Sequence, residues 1–159
     1  MSFPNHRGRR LRSNPALIES LSETVLCSKE LVMPYFVHEK NGESEIKSMD
    51  GLRIFNEKSI IREISVIQDL GINMIALFPV IPNEKKSLNA EEALNNDNLI
   101  CRTLRGLKKK FPKLIIICDI ALDAYTLSGH DGIINKKMEI DNDKTIRILS
   151  KMSLNFAKN

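Results

Sequence analysis

Three unbroken apolar runs are the feature that most restricts how this chain can fold. They occupy residues 31–37, 74–80 and 114–118 and are rich in β-branched and aromatic side chains. None alternates apolar with polar residues, and continuous apolar runs of this length are typical of parallel strands covered on both faces. Pro34 and Pro79 have no N–H to donate, so we expect the first two strands to end or bend near them.

Helical patterns follow these runs. Apolar residues recur at helical spacing in three segments, residues 57–70, 90–111 and 142–156. Gly71 and Pro112 follow the first two segments as stop signals, and polar residues 95–98 interrupt the second. Asn142 or Asp143 is expected to cap the third. That third helix should bury one stripe of side chains, formed by Ile146, Leu149, Met152 and Phe156.

The order of elements predicts an α/β fold. Strands that alternate with helices imply right-handed crossovers and a parallel sheet. Two architectures fit: a small open doubly wound sheet, or the first three strands of a (β/α)8 barrel, which normally takes about 250 residues. Residues 40–53 show no period and contain Gly42 and Gly51, so we expect a long loop or a small hairpin there.

Composition excludes several classes of protein. The 159 residues are 42% hydrophobic, enough for the core of one domain, and no apolar run approaches the roughly 18 residues of a membrane span. The first twelve residues contain no apolar stretch of the kind found in secretory signals. Three widely spaced cysteines, Cys27, Cys101 and Cys118, argue for reduced thiols in the cytoplasm and against disulfides or a thiolate zinc cluster.

The net charge of +4 is modest and is concentrated in two basic clusters. Residues 7–12 form the first. The first eighteen residues contain no acidic residue, and for this segment we favour a solvated basic arm over a transit peptide. Lys108, Lys109 and Lys110 form the second, at the end of a predicted helix, where cations oppose the negative end of the dipole. Only 5% of residues are aromatic and none interleaves with these cations, so we expect no nucleic-acid binding.

Residues 119–132 carry the best candidates for chemistry. They follow the third apolar run, and loops beyond the carboxyl ends of parallel strands are where α/β proteins place their sites. If Asp123 and Asp131 converge across this loop, they can hold a hard cation or a substrate ammonium group. The alternative is that these aspartates, and Asp119 with them, cap turns.

Tyr125 and His130 of the same segment have two interpretations each. His130 is a possible proton carrier or ligand, and Tyr125 a possible ligand-orienting group. Packed or hydrogen-bonded structural roles are the common alternatives. Lys85 and Lys86 also follow a strand; a buried lysine there could form a Schiff base, whereas adjacent lysines usually face solvent. The chain has no dinucleotide, Walker, zincin or serine-hydrolase motif.

Five ordered motifs give the chain a resemblance to the porphobilinogen synthase (5-aminolevulinate dehydratase) family. Its sequence around Arg9–Arg12 and Asn14-Pro15 resembles the family's N-terminal arm, and residues 31–37 resemble its first barrel strand. Ile46-Lys47-Ser48-Met49-Asp50-Gly51 resembles a family motif that usually has proline in place of Asp50. The remaining two likenesses are Leu77-Phe78-Pro79-Val80 with the lysines that follow, and residues 119–132, which resemble the metal loop.

The resemblance implies a (β/α)8 barrel whose arm embraces neighbouring subunits, usually in an octamer. It implies condensation of two 5-aminolevulinate molecules to porphobilinogen, with two lysines as Schiff-base nucleophiles. Many members bind catalytic zinc through three cysteines of the metal loop, and those positions match Ala121, Asp123 and Asp131. Zinc of that type is therefore not expected. In the aspartate-rich branch, Asp123 and Asp131 face the substrate that keeps its amine, and magnesium is a remote activator with ligands later in the chain.

The resemblance covers about the first half of a family member. It divides the chain into a basic arm at residues 1–28 and an incomplete (β/α) barrel at residues 29–159. The positions of both Schiff-base lysines lie beyond residue 159, so we expect a chain of this length to be inactive alone. The alternative is a non-catalytic remnant or interaction subunit that needs a second polypeptide.

Overall fold

The computed structural model describes residue 5 and residues 8–159 of the chain. One five-stranded sheet organises it, in the order β2-β3-β1-β4-β5. The strands are β1 (Val32–His38), β2 (Ser44–Glu45), β3 (Arg53–Phe55), β4 (Met74–Val80) and β5 (Ile115–Cys118). The helices are α1 (Pro15–Ser20), α2 (Ser59–Asp69), α3 (Leu99–Lys110) and α4 (Asn142–Ala157).

The three long strands are the predicted ones, and they are parallel. Strand β1 pairs with β4 from Val32 opposite Met74 to His38 opposite Val80, and β4 pairs with β5 over four residues. The short strands come from residues 40–53 and their neighbours: β2 runs antiparallel to β3, and β3 pairs in parallel with the end of β1. Of the two interpretations of that segment, the small hairpin is therefore the right one.

Only one face of the sheet is covered within the described residues. Tyr35, Val37, Ile75 and Leu77 alternate along β1 and β4 and are at most 2% exposed, in a core shared with residues of α2, α3 and α4. The prediction that the strands are covered on both faces is wrong for this chain, because no described element packs over the opposite face. We call that opposite face the open face; it contains Phe36, Ile54, Met74, Ala76, Phe78, Ile115 and Ile117.

The open face is apolar, and its free edge is apolar as well. The rings of Phe36 and Phe78 lie side by side on it, with centroids 5.5 Å apart. Strand β5 forms the edge, with Ile115 54% and Ile117 47% exposed, and no described strand pairs with its outer side. Unpaired parallel edges with exposed isoleucines normally belong to interfaces, because they offer both backbone hydrogen bonds and apolar area.

Helix α2 begins and ends close to the predicted positions, whereas α3 occupies only the part of its predicted segment that follows the polar interruption. The side chain of Asn56 accepts hydrogen bonds from the backbone N–H groups at the start of α2, and Gly71, with φ of +83°, ends that helix in the left-handed region. Asn98, within the predicted polar interruption, caps α3 by accepting from Cys101 N at 2.9 Å. The three lysines at 108–110 lie in the last turn of α3, as predicted.

Helix α4 differs from the prediction in its cap and in its buried face. Asp141, not Asn142 or Asp143, caps it by accepting from Lys144 N at 3.0 Å. Ile146 is 54% exposed; the buried side chains are Thr145, Ile148, Met152, Asn155 and Phe156. Met152 and Phe156 of the predicted stripe are buried, as expected. The apolar pattern missed Thr145 and Asn155 because these two are polar and bond to backbone groups, as Asn155 does to Asn95 O at 3.1 Å.

The predicted arm, residues 1–28, lies partly outside the described residues. Within residues 8–28 no side chain is buried, and Asn14 caps helix α1 by accepting from Leu17 N at 2.9 Å. Val25 is 72% and Leu26 78% exposed. The division of the chain at residue 28 stays a prediction. No described helix combines the length and the apolar character needed to cross a membrane.

Candidate active site

Two loops meet at the carboxyl end of the parallel sheet. The aspartate loop, residues 119–132, begins where β5 ends, and residues 83–94 follow the neighbouring strand β4. Ser87 joins the two: its N–H donates to Tyr125 O at 3.1 Å and its carbonyl accepts from Leu127 N at 3.2 Å. The middle of the aspartate loop is therefore fixed to the loop of the adjacent strand, although the two are distant in sequence.

Leu122 anchors the first half of the aspartate loop. Its side chain is fully buried, and its carbonyl accepts from both Tyr125 N and Thr126 N at 2.9 Å. This turn leaves Asp119 and Asp123 exposed at the sheet edge. Leu122 was not among the predicted site residues; its only sequence signal was the short apolar group Ile120-Ala121-Leu122 between two aspartates.

Asp131 and His130 are also exposed, in the second half of the loop. Thr126, 2% exposed, holds this half by donating from Oγ1 to His130 O at 2.9 Å. Three of the predicted site residues, Asp123, Asp131 and His130, are thus presented to solvent by one short loop. Among the described residues, no group of three or more His, Cys, Asp or Glu side chains is placed to hold a metal ion.

Tyr125 occupies a different environment from the aspartates. It is only 1% exposed, and its ring lies in the core beneath the loop. Burial is the largest cause of the upward shift in the pKa of its phenol, which therefore stays protonated. A role of Tyr125 in contact with substrate stays a prediction, whereas its packing shows that it anchors the segment bearing Asp123.

The end of the aspartate loop is tied to the start of α4. Thr145 Oγ1 accepts from Ile133 N at 2.9 Å and donates to Asp141 O at 2.7 Å, and Asp141 N donates back to Ile133 O at 2.8 Å. Gly132 lies beside this link, where a Cβ atom would be 2.8 Å from Ile140 Cγ2. These contacts fix the position of the backbone next to Asp131.

Replacing Thr145 by valine tests the link to α4. Valine keeps the shape of threonine but leaves the buried Ile133 N–H without an acceptor, which should lower the free energy of unfolding by about 1–3 kcal/mol. Thr145→Ser keeps the hydroxyl and should retain most of that stability. Urea denaturation of the three proteins measures the difference. Equal losses in both variants would show that packing of the threonine methyl group, not the hydroxyl, is what matters.

A network of charged groups, which was not predicted from the sequence, lies beside the loops. Lys85 Nζ lies 2.7 Å from Glu39 Oε1, and Arg102 bonds to both Glu39 and Glu57 at 2.9 Å. Partial burial opposes ionisation of Glu39, but hydrogen bonds from Lys85 and Arg102 outweigh it and hold the pKa of this carboxyl below its usual value. The network joins the ends of β1 and β4 to helix α3 and the segment before α2.

The same network decides between the two interpretations of Lys85. Lys85 is exposed, and the hydrogen bond to Glu39 raises the pKa of its ammonium group, which is opposite to the shift that Schiff-base formation needs. The only sequence signal was a basic residue after a strand, which is equally common on solvated surfaces. Its partners, Glu39 and Glu92, lie 46 and 7 residues away in sequence, and could not be identified without the fold.

The three cysteines are free thiols. Cys101 is buried in α3, and Cys118 is half-buried at the end of β5, where burial raises the pKa of its thiol to about 11. A protonated, buried thiol is a poor zinc ligand, because zinc binds thiolates. Since Ala121 offers no ligand atom and Asp123 and Asp131 offer hard oxygen atoms, the residues present do not fit a three-cysteine zinc site.

Comparison with known proteins agrees with this geometry. The family model described as delta-aminolevulinic acid dehydratase matches residues 5–159. The chain is 39% identical to the chloroplastic delta-aminolevulinic acid dehydratase of Glycine max, over 99% of this chain and 39% of that protein. It is 40% identical to the chloroplastic enzyme of Selaginella martensii, over 96% of this chain and 37% of that one.

A solved structure extends the comparison to the fold. The delta-aminolevulinic acid dehydratase (porphobilinogen synthase) of Toxoplasma gondii ME49, in complex with its reaction product porphobilinogen, matches with a TM-score of 0.94 and 34% identity. The match covers 96% of this chain and 44% of that one. The architecture is therefore a partial (β/α)8 barrel, as expected, and the chain spans less than half the length of the relatives it matches.

Proposed function

We propose, because the chain belongs to the delta-aminolevulinic acid dehydratase family, that it forms one wall of a porphobilinogen synthase active site. The reaction proposed for the complete barrel is the condensation of two 5-aminolevulinate molecules to porphobilinogen. The observation that carries the proposal is the aspartate loop, which presents Asp123 and Asp131 at the carboxyl end of the parallel sheet and is fixed on both sides.

The proposed role of the wall is to hold one substrate molecule. Asp123 and Asp131 are exposed carboxylates, and an ammonium group can form charge-assisted hydrogen bonds with both. Such contacts orient the amine of one 5-aminolevulinate molecule while its other end reacts. Asp119 and His130, exposed on the same loop, are further candidates for substrate contact, and Tyr125 supports the loop from below.

The covalent steps are assigned to residues outside this chain. Schiff-base formation needs an unprotonated amine in a site that lowers its pKa, and Lys85 is instead held as an ammonium group by Glu39. The remaining strands of the barrel, in the same polypeptide or a second one, would supply the nucleophilic lysines. The open face and the free edge of β5 support this assignment, because they offer the surface on which those strands would pack.

The proposed function also includes a cofactor and an assembly. Carboxylates at the positions matching metal-loop cysteines favour hard cations over zinc, so magnesium is the proposed activator, with ligands beyond this chain. An octamer built through the arm, and a location in the cytoplasm, complete the proposal. The exposed Val25 and Leu26 of the arm support the assembly, and the three free thiols support a reducing compartment. The relatives named above are described as chloroplastic.

A fused protein tests the proposed activity. It joins this chain to the part of the Toxoplasma gondii enzyme that lies C-terminal to the matched region. We expect it to form porphobilinogen from 5-aminolevulinate, and borohydride to trap a covalent substrate adduct. The 159-residue chain alone should give neither product nor adduct. A stoichiometric adduct on the chain alone would contradict the assignment of the nucleophiles to the missing strands.

The open face also favours a second candidate, a non-catalytic interaction subunit. In that case the chain would use its open face to bind another polypeptide without completing an active site. Native mass spectrometry of the chain purified from its own cells separates the candidates. A complex whose partner carries the remaining barrel strands supports the enzyme, and a complex with an unrelated protein supports the interaction subunit.

A further inference from the structure

The guanidinium group of Arg102 bonds to three separate segments of the chain. Its Nε donates to Glu57 Oε1 at 2.9 Å, just before α2, and one terminal nitrogen donates to Glu39 Oε1 at 2.9 Å, just after β1. The other terminal nitrogen donates to the carbonyl of Asp97, just before α3. All three nitrogen atoms of the group therefore have acceptors, and its rigid, planar set of donors holds those acceptors in one arrangement.

Glu39 extends these contacts toward the aspartate loop. The oxygen atom that accepts from Arg102, Oε1, also accepts from Lys85 Nζ at 2.7 Å. Lys85 comes two residues before Ser87, whose N–H and carbonyl both form hydrogen bonds with the aspartate loop. A continuous series of contacts thus runs from helix α3, through the end of β1, to the middle of the aspartate loop.

The contacts of Arg102 differ from those of an ordinary surface arginine. The side chains of Arg102 and Glu39 are 27% and 23% exposed, whereas Arg53, which pairs with Glu43 at 3.3 Å, is 58% exposed. Water screens exposed ion pairs, so each contributes little, but several charges joined in one network can have a measurable effect. The Arg102 network is therefore able to restrain the segments that it joins.

We propose that Arg102 is a positioning residue for the aspartate loop. It fixes Glu39, Glu39 fixes Lys85, and the segment after Lys85 holds the loop from the side of β4. Lysine cannot replace Arg102, because a single ammonium group lacks the planar set of donors that reaches three segments at once. The importance of this role for substrate rests on the proposed function, but the effect on the loop does not.

Amide hydrogen exchange measures the effect on the loop. In Arg102→Lys, the N–H groups of Ser87 and Leu127 should exchange about tenfold faster, because hydrogen bonds to charged groups are lost. The rates are compared without urea, where local openings dominate exchange in loops. Arg53→Lys is the matched control and should leave both rates unchanged. Faster exchange in strand β4 alone would show that Arg102 stabilises the fold without acting on the loop, and would overturn the proposal.

Lys85→Met tests the same series of contacts at its other end. The side chain of Lys85 is 39% exposed, so this variant should fold even if Arg102→Lys does not. It should speed exchange of the same two N–H groups, those of Ser87 and Leu127. Unchanged rates in this variant would show that the charged network does not restrain the loop.

Kinetics of the fused protein test the consequence for substrate. A displaced aspartate loop should weaken binding of 5-aminolevulinate, so Arg102→Lys should raise KM about tenfold and change kcat little. Arg53→Lys should change neither constant. A fall in kcat at unchanged KM would contradict a role in positioning the loop for substrate. Failure of the proposed function would instead appear as a fused parent that forms no porphobilinogen, and the exchange result would stand apart from it.

Discussion

Ile117→Asp is expected to prevent assembly of the complete barrel while leaving the 159-residue chain folded. Ile117 lies on β5 opposite Ala76, on the open face, and is 47% exposed. In the chain alone the aspartate would remain hydrated, so its effect on stability should be within about 0.5 kcal/mol, as for an ordinary surface substitution.

The same substitution has a large expected effect in the fused protein. There, the strands that complete the barrel would enclose the open face, and an unpaired carboxylate would be buried among apolar side chains. Burying a charge without a partner costs several kcal/mol, which is a large share of a typical total stability of about 5–15 kcal/mol. We expect the fused variant to be insoluble or to melt far below its parent, and to form no porphobilinogen.

Val66→Asp provides the matched control. Val66 lies on the outer side of helix α2, is 56% exposed, and is likewise a β-branched residue. It should be tolerated in both the chain and the fused protein. Thermal melts and porphobilinogen formation for the two variants give the comparison. If Ile117→Asp is tolerated in the fused protein, the open face is not the interior of a completed barrel, and the interaction subunit becomes the better interpretation.

The parallel sheet was predictable because its signal is local and strong. Each long strand is a continuous apolar run. Gly71 ends helix α2 and Asn98 caps helix α3, and both residue types are recognisable in the sequence as helix boundaries. Consecutive long strands are neighbours in the sheet, as is usual for strands that are joined by a crossover containing a helix. The same runs predicted that the sheet is covered on both faces. That prediction failed because no described element covers the open face, which would be buried only in the proposed complete barrel.

The position of the aspartate loop could be predicted from the sequence, but the contacts that hold the loop in place could not. Asp123 and Asp131 were visible as carboxylates after a strand, whereas Thr145 and Ser87 hold the loop through contacts that depend on tertiary structure. Small hydroxyl residues carry no sequence signal for such a role. Tyr125 was assigned a ligand role from its position in the loop, and the structure shows its ring in the core.

Asp123→Asn and Asp131→Asn are expected to weaken substrate use in the fused protein. Each change keeps the size of the side chain but removes a negative charge that would face the ammonium group of 5-aminolevulinate. A hydrogen bond to a charged group contributes roughly 1.5–3 kcal/mol, which corresponds to a loss of about 10- to 150-fold in kcat/KM for each variant. Steady-state porphobilinogen formation measures the loss. Because both side chains are exposed, the stability of either variant should match that of its parent.

The double variant shows whether the two carboxylates act on the same group. If both bind one ammonium ion, the second substitution should cost less than the first, because the ion is already weakly held. Independent losses would place the carboxylates on different parts of the substrate. Asp143→Asn is the control: Asp143 is an exposed aspartate in the first turn of α4, two residues after the capping Asp141, and its loss should leave kcat/KM unchanged. Full activity in the double variant would remove the aspartate loop from the substrate site and, with it, the main support for the proposed wall.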